Sequence, residues 1–189
     1  NGQSKYAAPL FDATADFTKL FGQVTGLVDL RRWGTLAASL RGGAIENHRE
    51  LTAAGQSPID QVPVAERFFA GGRTTHRAFA RDELGIPGET LLVTGREDVT
   101  SLGGGALLLG NLEWRFPIAG PFGGTLFSDV GQVWREAGDV RPADLRWGAG
   151  VGVRYLSPIG PIRLEIGWKL DREPFEAPMV WFFSLGNPF

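Results

Sequence analysis

The residues that could do covalent or metal chemistry in this sequence are few and poorly spaced. There are no cysteines, which excludes a disulfide scaffold, a thiolate metal site and a cysteine nucleophile together. His48 and His76 are the only histidines and lack ligand spacing, so both read as loop residues and no metal site is expected. GQSPI from Gly55 lacks the final glycine of a nucleophile elbow. GAGVGV lies within an alternating segment, and GGGALLLG has no Lys-Ser or Lys-Thr after it, so neither reads as a nucleotide loop. No catalytic residue, cofactor or enzymatic activity is therefore expected. What remains is ionic chemistry. ERFFAGGRTTHRAF, Glu66 to Phe79, sets Arg77 among phenylalanines, and Glu113 and Asp129 follow on two later segments. An arginine removed from water needs carboxylates in bidentate geometry, or its desolvation is not recovered. Arg77, Glu113 and Asp129 are expected to meet, with Phe68, Phe69 and Phe79 against a wall.

The elements that must position these groups are strands. The 27 glycines lie inside apparent strands as often as between them, which argues against long helices. RWGAGVGVRY separates fully, with Trp147, Ala149, Val151, Val153 and Tyr155 opposed to Arg146, Gly148, Gly150, Gly152 and Arg154. IRLEIGWKL sets Ile162, Leu164, Ile166, Trp168 and Leu170 against Arg163, Glu165, Gly167 and Lys169. In GGGALLLGNLEWRFP, Leu108, Leu112, Trp114 and Phe116 oppose Asn111, Glu113 and Arg115, while FGGTLFSDVGQVW divides less cleanly. MVWFFSLGNPF places Met179, Trp181, Phe183, Leu185 and Phe189 on one side. With softer alternation in LFDATADFTKLF and WGTLAASLRGG, about seven strands are expected. Glu113 and Asp129 fall on the polar parity of neighbouring strands, and Gly148, Gly150 and Gly152 leave room for an inserted loop.

PIAGP and SPIGP are tight turns, whereas REAGDVRPADL and DREPFEAP are long, and residues 46–102 form a far longer connection. Short turns at one end and long loops at the other organise an outer-membrane β-barrel, with the short turns in the periplasm. The pattern predicts an all-β, antiparallel transmembrane barrel with a long extracellular loop, 46–102, folding into the lumen, and the C-terminus facing the periplasm. Trp134, Trp147, Trp168 and Trp181 are expected near the outer rim as an aromatic girdle. No apolar run is long enough for a membrane helix, and mean hydropathy is near neutral, as alternating strands require. The net charge of -2 points to no nucleic-acid partner. Residue 1 is Asn with no signal sequence after it, so a leader was removed or this is the later part of a longer chain. A soluble β-sandwich binding module is the competing architecture.

FFAGGRTTHRAF, GNLEWRFP, LFSDVGQVW, SPIGPIRLEIGWKL and the final FFSLGNPF, in that order, resemble the C-terminal half of the outer-membrane protein assembly factors, the superfamily of BamA, TamA and the two-partner secretion pores. The resemblance runs from about Val62 to Phe189. It implies a sixteen-stranded barrel, preceded by periplasmic POTRA domains, that inserts or translocates β-barrel proteins. The implied partners are outer-membrane lipid, unfolded β-barrel clients, the missing N-terminal strands and accessory lipoproteins, in the bacterial outer membrane. In that family a Val-Arg-Gly-Phe tetrad in the long loop reaches acidic groups of the wall. Here the tetrad is His76, Arg77, Ala78 and Phe79, following Gly71 and Gly72, with Glu113 and Asp129 at the acidic positions. Ala78 replaces a glycine, which would strain the turn if φ there must be positive. The last strand, with Trp181, Phe183, Leu185, Gly186 and Phe189, matches the family's lateral seam and C-terminal signal, where a client strand adds to an open edge. A secretory or passive pore of the same superfamily is the alternative function.

Overall fold

A computed structural model describes residues 2–7, 16–48, 57–96, 98–157 and 160–185, with backbone only for 2–7. The strands are β1 (Gly2–Ala7), β2 (Phe17–Asp29), β3 (Thr35–Asn47), β4 (Leu91–Gly95), β5 (Asp98–Ser101), β6 (Ala106–Ala119), β7 (Phe122–Trp134), β8 (Arg146–Ser157), β9 (Gly160–Lys169) and β10 (Met179–Leu185). Eight of them form one antiparallel sheet in the order β1-β2-β3-β6-β7-β8-β9-β10, and β4 and β5 pair separately. The about seven strands expected become eight because Gly2–Ala7 adds a strand before β2, with Tyr6 opposite Thr18. The connection between β3 and β6 covers 48–105 rather than 46–102, and it contains the β4–β5 hairpin.

The sheet has two unlike faces, set by the period-two alternation of its strands. One is bare and apolar: Val24, Leu40, Leu112, Leu126, Val151, Val153, Leu164 and Trp181 are exposed there. No second sheet covers this face among the described residues, as it would in a sandwich. The other face lies under residues 57–105, whose Ile59, Val62, Phe68, Ala70, Phe79 and Leu84 join Phe17, Ile45, Leu107, Leu109 and Val133 in one core. Contiguous exposed apolar surface of this extent, backed by a polar interior, is the organisation of a membrane barrel wall.

Two aromatic bands bound the bare face. Trp147, Trp168 and Trp181 stand exposed at the end carrying the long connections. Trp33, Trp114, Phe116, Phe122 and Tyr155 gather at the short-turn end, where Trp114 Nε1 donates to the Trp33 carbonyl and the Phe122 and Tyr155 rings lie 5.0 Å apart. Trp147 and Tyr155 of β8 are separated by about 27 Å of strand, which a tilt of roughly 40° reduces to ~20 Å, close to the height of a barrel's apolar band. Trp134 does not join the girdle: it is 0% exposed, and its Nε1 donates to Asp144 at 3.1 Å. The 135–145 connection folds back over it and supplies that acceptor.

Candidate functional site

The loop motif is a compact turn built on its glycines. Gly71 and Gly72 both hold φ near +100° (+111° and +95°), where a side chain would be strained, and a Cβ on Gly71 would overlap the Ala80 carbonyl. The Gly72 N–H donates to the Phe79 carbonyl, and the His76 N–H to the Gly72 carbonyl. The Thr75 hydroxyl accepts from the Gly71 N–H at 3.0 Å. This turn presents residues 76–79 to the wall. Ala78 is not among the residues with positive φ, so the expected strain is absent.

Arg77 is the centre of the site. Its Nε and Nη2 donate to the two oxygens of Asp129 at 2.9 Å each, and its backbone N–H donates to the same carboxylate at 2.8 Å. Nη1 bonds Glu113 and lies 3.7 Å from Glu165. The guanidinium also stacks 3.8 Å from the Phe127 ring centroid. Asp129 receives a further bond from Asn111, whose amide also donates to the Thr75 carbonyl at 2.7 Å, and Glu113 takes one from Arg115. Burial by itself lowers the Arg77 pKa, but the carboxylates of Asp129 and Glu113 outweigh it and raise it above the ordinary arginine value. The charge on Arg77 is permanent.

The wall makes room for the turn with two glycines on adjacent strands. A Cβ on Gly148 would meet the Ala78 methyl and the His76 ring, and one on Gly167 would overlap the Arg77 carbonyl. Gly150 and Gly152, expected to serve the loop, instead clear Phe127 and Glu165. Phe68 fills the space over Gly43, while Phe69 is half-buried against Gly103.

His76 is fully buried, its Nε2 3.2 Å from the Arg146 carbonyl and its ring edge-on to Phe79. Burial pushes its pKa down, against the pull of Asp129. Arg146 begins a second ionic group, bonding Asp171 at 3.1 Å, Glu173 at 3.3 Å and Glu176 at 2.7 Å in the β9–β10 connection. Arg146 and Lys169 also stand over the Phe79 ring, at 5.1 and 4.7 Å. Sequence reasoning missed Glu165, Asn111, Phe127 and Arg146. Glu165 and Arg146 carry a signal in their polar parity, but nothing local says which carboxylate an arginine will reach.

On β10, Met179, Trp181, Phe183 and Leu185 lie exposed on the bare face, with Ser184 buried on the other. Gly186 and Phe189, also assigned to the seam and C-terminal signal, lie outside the described residues. No acidic or histidine cluster able to hold a metal occurs among the described residues.

The whole chain, residues 1–189, matches the Omp85 superfamily domain. The chain belongs to that superfamily. It is 35% identical over 127 residues to the chloroplastic outer envelope protein 80 of Arabidopsis thaliana, covering 63% of this chain and 17% of that protein. It is 26% identical over 166 residues to the outer membrane protein assembly factor BamA of Neisseria meningitidis serogroup B, covering 72% of this chain and 20% of the relative. The crystal structure of Haemophilus ducreyi BamA lacking POTRA domains 1–3 superposes with a TM-score of 0.64 at 19% identity, over 93% of this chain and 36% of that one. The eight-stranded sheet is thus part of a BamA-like Omp85 barrel, and the chain spans about a fifth of the length of these curated relatives.

Proposed function

We propose that this chain is the seam-bearing part of an Omp85 barrel that assembles and inserts β-barrel proteins into the bacterial outer membrane. The observation that carries the reading is β10. It is an edge strand of the described sheet, paired with β9 alone among the described residues, and it turns large apolar side chains to the bare face. Such an edge is a template for strand addition. In this reading the short turns and the C-terminus face the periplasm, residues 57–105 occupy the lumen, and further strands complete a sixteen-stranded wall. POTRA domains and accessory lipoproteins would deliver unfolded clients. Arg77, held by Glu113, Asp129 and Glu165, would fix the lumen loop to the strand next to the seam strand.

The test uses the intact protein in lipid vesicles, with client folding followed by gel mobility. The chain has no cysteine, so Phe182→Cys supplies one thiol for crosslinking to a client strand. Faster client folding with crosslinking at position 182 is the expected result. Ion conductance with no effect on client folding would overturn this reading in favour of a pore.

A further inference from the structure

The face opposite the bare wall carries a row of arginines that the Arg77 group leaves unused. Arg154 of β8 and Arg163 of β9 are directly cross-strand in register, on the same face as Glu113 and Asp129. Like charges placed opposite each other destabilise a sheet. Neither residue has an ion pair among the described residues, and the buried Nε of Arg163 has no hydrogen-bond partner. Arg115 on β6 extends the row and repels Arg163, although it bonds Glu113. Glu165, two residues from Arg163, and Glu113 attract it, but Glu165 lies 3.7 Å from Arg77 and neither carboxylate forms an ion pair with Arg163. On the far side, Arg163 faces Ser184 of β10, which is 7% exposed and whose hydroxyl also lacks a partner among the described residues.

The row therefore runs toward the edge strand and ends on a buried orphan hydroxyl. It borders two cavities. One of about 340 Å³ below the loop takes in Arg41, Arg73, Arg115 and Arg163 together with the Arg77, Glu113 and Glu165 group, and one of about 270 Å³ at the short-turn rim takes in Arg115 and Arg154 with no carboxylate among the described residues. Adjacent strands are ~4.8 Å apart, so Arg115 and Arg163 are separated by roughly 14 Å of wall. That span exceeds one phosphate and suits two or three carboxylates along an extended chain. The row also faces away from the apolar surface, where lipid headgroups would be reached.

We infer that Arg154 and Arg163, flanked by Arg115 and Ser184, bind an acidic peptide segment on the inner wall beside the edge strand. Guanidinium forks take carboxylates in bidentate pairs, and the bound segment relieves the like-charge contact. This does not depend on the assembly reading.

The experiment measures anisotropy of a labelled decapeptide containing four glutamates, and of its glutamine counterpart, with the intact protein in detergent. The acidic peptide binds in a salt-sensitive manner, the glutamine peptide does not, and Arg154→Gln with Arg163→Gln weakens binding at least about tenfold. Arg154→Lys retains part of the affinity. Ser184→Asp, which supplies a carboxylate in place, abolishes peptide binding and raises the unfolding temperature. Equal binding of the glutamine peptide would overturn the assignment. So would unchanged binding in the double variant with normal gel mobility, binding of phosphatidylglycerol vesicles or inorganic phosphate in preference to the peptide, or a lowered unfolding temperature in Ser184→Asp.

Discussion

Arg77 and Arg146 solve the same problem in opposite directions. Arg77 belongs to the inserted loop and reaches carboxylates of the wall, whereas Arg146 belongs to the wall and reaches carboxylates of a loop. The difference is water. Asp129 is 0% exposed and Glu113 and Glu165 are nearly so, while the Asp171 and Glu173 side chains are 35% and 40% exposed and only Glu176 is buried. An ion pair broken in a dry site leaves charges stranded, and one broken at a wet rim is largely re-solvated. Two arginines with three carboxylate neighbours each are therefore unequal.

The sharpest break is Arg77→Ala, which leaves buried Asp129 and Glu165 without an ion pair among the described residues and Glu113 with Arg115 alone. It should cost about 3–5 kcal/mol and open residues 57–105 to proteolysis in an otherwise intact barrel. Arg77→Lys should rescue only partly, because one ammonium cannot reproduce the Nε and Nη2 fork on Asp129. Unchanged protease resistance in both variants would refute the proposal that Arg77 fixes the loop to the wall. Arg146→Ala should cost less, about 2–3 kcal/mol, mostly through Glu176, and proteolysis should appear first in the 170–178 connection with the inserted loop still protected.

His76 touches both groups and adds a pH dependence. Its depressed pKa means that stability is complete above the ordinary histidine value of about 6.5 and is lost as pH falls through the lower folded value. Urea midpoints between pH 7.5 and 5 should fall for the native chain and flatten in His76→Gln. The smallest effect belongs to Glu173→Ala, expected within ~0.5 kcal/mol because its partner keeps Asp171 and Glu176.

How legible the molecule was in its sequence follows the same divide between local and distant causes. From β6 onward, alternation placed nearly every side chain on its proper face, because a strand's faces are decided within the strand. Arg77 with Glu113 and Asp129 was also legible, from the desolvation that an arginine among phenylalanines implies together with the family motif. The second half of β2 was not, since Gly22 and Gly26 dilute its alternation and Leu27 sits on the polar parity beside Val28. β1 packs as a single short strand against β2 and carries little pattern of its own. Glu165 as a third partner and Trp134 as a buried residue depend on where remote segments arrive, which no window of sequence contains.

The two wall glycines under the loop bear on the order of events in folding. Gly148 and Gly167 lie on β8 and β9, and Asp129 and Glu165 on β7 and β9, all later in the chain than the turn they receive. Contacts of such sequence separation form only after the intervening loops have closed. Residues 71–79 precede in the chain the strands that hold them and have no complete socket until β9 is laid beside β8. Seating of the turn is thus a late step, and it reports that the wall has been built as far as the strand on which β10 pairs.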